Sequence, residues 1–179
     1  MSYRIVAAEP GHCSLLPEIE YQSAQVFSPE DLPEPLRSVP TPESSFRAAQ
    51  ASGLLWVLID PENLPVGFLL AEVLDESFHI KEMDVHPAHA RKGLGGKLLE
   101  HSFTVARGRN LSSITLTTFK HLPWNGPFYE RHGFVSLEES EMGAELSEIL
   151  RQEAKDGLKN RIAMRRNITR AATKDNDTR

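Results

Sequence analysis

The sequence predicts a mixed α/β fold in one domain, and three observations point there. Short apolar and β-branched runs separated by compact turns fill the stretch from Leu54 to Val85. Apolar residues at helical spacing lie before and after that stretch. A glycine cluster, Gly93-Leu94-Gly95-Gly96, joins the last of these runs to a long amphipathic segment. The 179 residues suit a single domain. Residues 1–168 are expected to form it, with the polar stretch 169–179 as a mobile tail.

Taken in order, Tyr3 to Ala8 reads as a first strand. Leu15, Leu16, Ile19, Ala24, Val26 and Phe27 then recur at roughly helical spacing. From Ser28 to Pro42 the prolines at positions 29, 33, 35, 40 and 42 remove backbone donors, so a loop of broken turns is expected. Glu30, Asp31, Glu34 and Glu43 make this region acidic. Thr41-Pro42-Glu43 reads as an N-cap, a proline at the first helical position and an acidic first turn, opening a helix to about Ser52. Three strands follow, Leu54–Ile59, Val66–Leu74 and Phe78–Val85. Their turns, Asp60-Pro61-Glu62-Asn63 and Asp75-Glu76-Ser77, favour antiparallel hairpins. A helix from about Gly95 to Arg107 ends at Gly108-Arg109-Asn110, where a left-handed cap is tolerated. Ser112–Thr118 is a strand, Asn125–Arg131 a short helix closed by Gly133, and Phe134–Leu137 another strand. Glu141–Lys155 is a helix stopped by Gly157, and Arg161–Ile168 a final strand.

Bulk composition narrows the function. The net charge of -5 and the lack of a dense basic run argue against nucleic acid as a partner. Arg165, Arg166 and Arg170 read as part of a solvated tail, not a binding patch. No apolar run approaches the ~20 residues that span a bilayer, so no membrane partner is expected. Met1 to Val6 lacks the apolar core of a secretory leader. The single cysteine, Cys13, excludes an internal disulfide and fits a reducing, cytoplasmic setting. It reads as a half-buried helix residue, not a nucleophile, and no metal site is expected.

The glycine loop carries the first chemical signal. Glycines let a ligand approach the backbone closely, and a helix N-terminus offers unpaired N–H groups with partial positive charge. Together they make an anion site suited to phosphate, with Arg91 and Lys92 adding charge at its mouth. A P-loop is excluded, because it needs glycine where Arg91 stands and Ser or Thr where Leu98 stands. The dinucleotide fingerprint is excluded too, since its third glycine would also fall at Leu98.

The stretch Met83-Asp84-Val85-His86-Pro87 through Gly93-Leu94-Gly95-Gly96-Lys97-Leu98-Leu99 resembles the pyrophosphate-binding motif of the GNAT superfamily of N-acyltransferases. That family writes Gln or Arg, two variable residues, Gly, one variable residue, then Gly or Ala. Gly93 and Gly95 match; Ala90 departs at the first position, where Arg91, His89 or backbone amides would supply the contact. Downstream, Tyr129 to Phe134 resembles the family's helix-to-strand signature. The family's tyrosine often protonates the departing thiolate of coenzyme A, a role that falls on Tyr129. The run Pro123-Trp124-Asn125-Gly126-Pro127-Phe128-Tyr129 resembles a narrower subgroup of bacterial-type members.

The resemblance implies a GNAT-like α/β fold, a mixed and mostly antiparallel sheet splayed between two parallel strands and flanked by helices. It implies acetyl-CoA as co-substrate. The expected cofactor contacts are Met83, Asp84, Val85, Ala90, Arg91, Lys92, Gly93, Leu94, Gly95, Gly96, Asn125, Phe128 and Tyr129. Met83 and Val85 would pair their backbone with the pantetheine arm. Candidate bases are His79, Glu82 and Asp84. Simple alternation puts His79 and Glu82 on opposite faces, but a bulge would break that count. The acidic segment from Ser28 to Phe46 lies where the family builds its acceptor wall, so the expected acceptor is a small cationic primary amine. An acyl-CoA sensor and a peptide N-acetyltransferase are the alternatives. A homodimer is expected only by analogy with the family.

Overall fold

The computed structural model describes residues 2–168; the expected tail falls outside the described residues. Among the described residues seven strands and five α-helices follow in the order β1 (Arg4–Ala7), α1 (Leu16–Ala24), α2 (Glu43–Ala51), β2 (Leu55–Ile59), β3 (Pro65–Leu74), β4 (Ser77–Val85), α3 (Leu94–Gly108), β5 (Ser113–Phe119), α4 (Gly126–Arg131), β6 (Val135–Ser136), α5 (Ala144–Lys155) and β7 (Arg161–Asn167). One sheet holds the strands in the order β1-β2-β3-β4-β5-β7-β6. All neighbours are antiparallel except β4 and β5.

Sequence pattern explains the layering. β2 is a continuous apolar run and every one of its residues is buried, as a strand covered on both faces requires. Its alternate residues feed two cores. Trp56 and Leu58 join Leu69, Phe78, Ile80, Ile114 and Leu116 under Leu98, Leu99 and Phe103 of α3. Leu55, Val57 and Ile59 join Phe68 and Leu70 under Leu16 and Ile19 of α1 and Phe46 of α2. On that second face α5 adds Leu146 against Leu137 and Ala163.

Two irregularities shape the centre. The parallel pair β4–β5 is short, with Phe78, His79 and Ile80 opposite Ile114, Thr115 and Leu116. Beyond Ile80, β4 follows only β3, while beyond Leu116, β5 follows β7. The two strands therefore part, and a gap opens between their C-terminal halves. At its start β4 bulges: Leu70 faces Glu82 and Ala71 faces Ile80, so Lys81 is the extra residue. The bulge shifts the alternation and puts His79, Glu82 and Asp84 on one face, the α1 side, opposite Glu72, Leu70 and Phe68.

Several expectations need correction. Thr41 does not cap α2; the cap position is Pro42, without a side-chain hydrogen bond. Thr41 instead spends both its N–H and its hydroxyl on Glu20, each at 3.0 Å. Val26 lies past the end of α1 and is 52% exposed, and Leu15 precedes the helix at 46%, so the buried stripe is Leu16, Ile19 and Ser23. Cys13 lies just after a 3-10 turn and is fully buried, and that burial raises its thiol pKa. Arg165 and Arg166 belong to β7, not to a tail. Arg166 donates to the His132 carbonyl at 2.7 Å and lies 4.1 Å above the Phe103 ring, a cation–π contact that no local pattern announces. Arg170 is outside the described residues.

Gly67 is required by close packing. A Cβ there would lie 2.6 Å from the Asp84 carbonyl oxygen and 3.3 Å from a Leu58 methyl. Gly67→Ala is expected to cost about 1–3 kcal/mol by overpacking. At about 2–4 °C per kcal/mol for a chain of this size, thermal denaturation should register it as a lower Tm.

Candidate active site

The glycine loop has the backbone that its sequence demands. Gly93 occupies the cap position of α3 with φ +73°, a left-handed angle costly for other residues, and nothing lies within 4 Å of where its Cβ would be. Arg91 also has positive φ, +59°, while Ala90 is extended and donates its N–H to Pro87. Among the described residues, the backbone N–H groups from Arg91 to Gly96 donate to no backbone acceptor; the first helical bond is from Lys97 to Gly93. Leu94 is buried and anchors the helix start in the core. Phe128 and His132 of the neighbouring α4 segment border Gly95 and Gly96, at 3.8 Å and 3.4 Å from the places a Cβ would take. The result is a row of free donors at a helix N-terminus, fit for the pyrophosphate of a nucleotide thioester. Lys92 turns its ammonium to the Tyr3 hydroxyl at 3.1 Å, and Tyr3 also bonds His89 at 2.9 Å. Any contact to phosphate from Lys92 in this arrangement would come from its backbone.

The gap between β4 and β5 leads away from this loop. His86 N–H donates to the Val66 carbonyl at 2.8 Å, so alternation turns Asp84's backbone groups toward β3 and those of Met83 and Val85 toward the gap. The backbone needed for pairing an extended arm is therefore on the open side. Ser23 of α1 touches the Val85 carbonyl with its hydroxyl at 3.4 Å and holds the helix over the gap.

Three ionisable groups around the gap act on one another through their charges. Glu82 and Asp84 keep part of their area open, yet the cleft walls surround both closely. Burial, with the charge of Glu20 added, pushes Glu82 up to about 7. Burial and the charges of Glu82 and Glu20 raise Asp84 well above the ordinary carboxylate range. From the α3 face of the sheet, Tyr129 comes within reach of the same two charges, which together with burial raise its phenol pKa. Its ring is wedged between Phe128 and Phe134, with centroids 5.1 and 5.7 Å away. The gap thus joins the two faces of the sheet, a carboxylate poised near neutrality on one side and a protonated phenol on the other.

A family profile described as the acetyltransferase (GNAT) family matches residues 20–134. The chain belongs to the GNAT family. It is an acetyl-CoA-dependent N-acetyltransferase with the GNAT fold. Solved structures share that fold at low identity. The N-acetyltransferase of a ribosomal-protein alanine from Escherichia coli is 19% identical, with a TM-score of 0.69 over 96% of this chain and 97% of that one. The PaiA N-acetyltransferase from Thermoplasma acidophilum, solved with coenzyme A, is 13% identical, with a TM-score of 0.70 over 93% and 99%. A GNAT phosphinothricin acetyltransferase from Sinorhizobium meliloti, solved with acetyl-CoA, is 14% identical, with a TM-score of 0.66 over 94% and 89%.

Within this GNAT frame the sequence-selected residues separate. Glu82 and Asp84 stand on the half of β4 that has parted from β5, and their charges act on Tyr129; Met83 and Val85 line the gap with backbone. His79 does not reach the open part. It sits where β4 and β5 are still paired, is 2% exposed, and bonds Thr115 at 3.0 Å through Nδ1. Burial lowers its pKa to about 4, which makes it a poor base near neutrality. Asn125 uses its side-chain oxygen to accept from Thr118 at 2.8 Å and so ties the start of α4 to β5. Three of the four acids of the segment have partners: Glu34 bonds Ser38 and Glu43 bonds Arg47 nearby in the chain, while Asp31 reaches His121 past the end of β5.

Sequence reasoning missed Glu20. A signal existed, because Glu20 stands one helical turn after Leu16 and three residues before Ser23, on the edge of the buried stripe of α1. It missed Arg161 as well, a partly buried residue at the head of β7. Arg161 binds Glu153 twice, at 2.9 and 2.8 Å, and Thr117 at 3.1 Å, while lying 4.5 Å above Phe119.

Proposed function

We propose that residues 1–168 act as one domain that transfers the acetyl group of acetyl-CoA directly to a small cationic primary amine in a ternary complex, with Glu82 as general base and Tyr129 as general acid. Acetyl-CoA supplies an acetyl group activated as a thioester. The Gly93–Gly96 loop grips its pyrophosphate, and Met83 and Val85 hold the arm that carries the thioester to the gap. An alkylammonium has a pKa near ~10.4, so the neutral amine costs about 4–5 kcal/mol at pH 7. Glu82 takes that proton, and its perturbed pKa of about 7 suits the task. Tyr129 stays protonated across the neutral range and gives its proton to the sulfur as the C–S bond breaks; the nitrogen, cationic once the C–N bond has formed, gives its second proton to the phenolate and restores it. Fixing both substrates in one cleft contributes up to about 7–11 kcal/mol, more than the base alone. The run from Pro123 to Tyr129 supports reading the chain as one of the narrower bacterial-type subgroup that it resembles.

The observation that supports the reading is the placing of Glu82 and Asp84 on the half of β4 that has parted from β5, with both charges acting on Tyr129 and no cation among the described residues in an ion pair with either carboxylate. A cationic acceptor supplies the missing charge. The test is an acceptor screen that follows thiol release from acetyl-CoA with free amines beside N-terminal peptides. Small amines that are cationic at neutral pH are expected to react fastest. Turnover confined to peptides would overturn the acceptor assignment.

A further inference from the structure

We propose that Tyr3 is a positioning residue for the acetyl donor: its hydroxyl braces the loop that receives the pyrophosphate, through Lys92 within the loop and His89 before it. This rests on the reading of Gly93–Gly96 as the grip on the pyrophosphate.

A row of free N–H donors leaves the loop short of internal support. From Arg91 to Gly96 no backbone N–H bonds a backbone acceptor among the described residues, so none of these donors holds the loop in shape. The backbone angles add to the need. Arg91 has φ +59° and Gly93 φ +73°, and the left-handed region is unfavourable for a residue with a Cβ such as arginine. The ends are fixed, by the Ala90 N–H on the Pro87 carbonyl at 3.1 Å and by the buried Leu94 side chain. Between them Ala90, Arg91, Lys92 and Gly93 are all exposed. A tether that holds this stretch and keeps its N–H groups free has to come from a side chain. Among the described residues, the one side-chain hydrogen bond from positions 90–93 to the rest of the fold runs from Lys92 Nζ to the Tyr3 hydroxyl, at 3.1 Å.

Chemistry fixes the direction of these bonds. An ammonium only donates, so the Tyr3 oxygen accepts from Lys92. The phenol's own proton is then left for His89 Nδ1 at 2.9 Å, with the His89 ring proton on Nε2. His89 ends the 3-10 turn Pro87–His89 that leads into the loop, and its ring meets the Tyr3 ring edge to face at 5.8 Å. Tyr3 stands immediately before β1 and packs on the α3-side core, so it has a firm base. One hydroxyl, 86 and 89 positions away in sequence, thus ties the loop and the turn before it to the body of the fold. A loop ordered before its ligand arrives spends less binding energy on being ordered by it.

The test measures the Kd of coenzyme A by calorimetry and that of pantetheine, which lacks the pyrophosphate and the nucleotide, by NMR titration. The proteins are the wild type, Tyr3→Phe, Lys92→Met and the double variant. Tyr3→Phe keeps the ring contact with His89 and removes both hydrogen bonds. It should raise the Kd of coenzyme A about three- to tenfold, the scale of a lost hydrogen bond, and leave that of pantetheine unchanged. Lys92→Met should weaken coenzyme A in the wild-type background and do little more in the Tyr3→Phe background, because the two act as a unit. A Kd for coenzyme A that is unchanged or lower in Tyr3→Phe overturns the brace. So does a Lys92→Met loss that persists in full without the hydroxyl, since the ammonium would then act on phosphate by itself. Equal losses for both ligands overturn it as well, because Tyr3 would then support the fold at large. In all three cases a wild type that binds coenzyme A far more tightly than pantetheine leaves the pyrophosphate grip standing. Equal wild-type affinity for the two ligands overturns the grip and the brace with it.

Discussion

Glu82→Gln is expected to lower kcat by about 10²–10⁴, the usual contribution of a positioned general base, and to leave acetyl-CoA affinity nearly unchanged. The glutamine keeps the shape and polarity of the side chain but cannot take a proton. The pH profile carries the sharper signature. Burial and the charge of Glu20 raise Glu82 to about 7, so the base is protonated and inactive below that pH and competent above it. In the wild type, kcat therefore rises with pH through a limb near neutrality. Because Glu82 and Asp84 influence each other, the limb belongs to the pair. Glu82→Gln abolishes the limb. The same shift has a consequence for folding. A carboxylate whose folded pKa is raised favours the native state while it is protonated, and that advantage fades as pH rises from the ordinary carboxylate range through about 7. Glu82→Gln should flatten this fall, as urea titrations at pH 5 and pH 8 would show.

Tyr129→Phe is expected to lower kcat by about 10²–10⁴ while the dissociation constant for acetyl-CoA changes little. Only the hydroxyl is removed, and the ring keeps its packing on Phe128 and Phe134. The phenol pKa is raised by burial and by the charges of Glu82 and Asp84, so Tyr129 stays protonated across the neutral range. No loss of activity on the alkaline side should be traceable to its ionisation. Calorimetric titration of acetyl-CoA beside steady-state turnover separates the two effects. A protein that only senses acyl-CoA would bind as the variant does and show no turnover in either form.

The fold was legible wherever local chemistry dictated backbone. Asp60-Pro61-Glu62-Asn63 and Asp75-Glu76-Ser77 turn the chain as expected, with Asn63, Asp75 and Glu76 all at positive φ. Asn110 takes the left-handed angle expected after α3, and Gly93 takes one that glycine permits. What sequence could not decide depended on register between distant strands. The extra residue at Lys81 is set by how β4 meets β3, and it alone brings Glu82 to the face of His79. That His79 is shut between paired strands while Glu82 lies past them follows from where the β4–β5 pairing stops, a property of neither strand by itself. Glu20 and Thr41 lie 21 positions apart, and each has a plausible local role, as a helix surface acid and as a cap, that their contact replaces. Arg166 looked like tail because its partners, His132 and Phe103, are remote in sequence.

The most direct test of direct transfer at this gap is a two-substrate initial-velocity matrix, varying acetyl-CoA at several fixed amine concentrations. Lines that intersect in the reciprocal plot, with no acetyl group retained on protein treated with acetyl-CoA alone, are the result expected of a ternary complex in which Glu82 and Tyr129 handle protons and no side chain carries the acetyl group. Parallel lines together with a stable acetyl-protein adduct would contradict it.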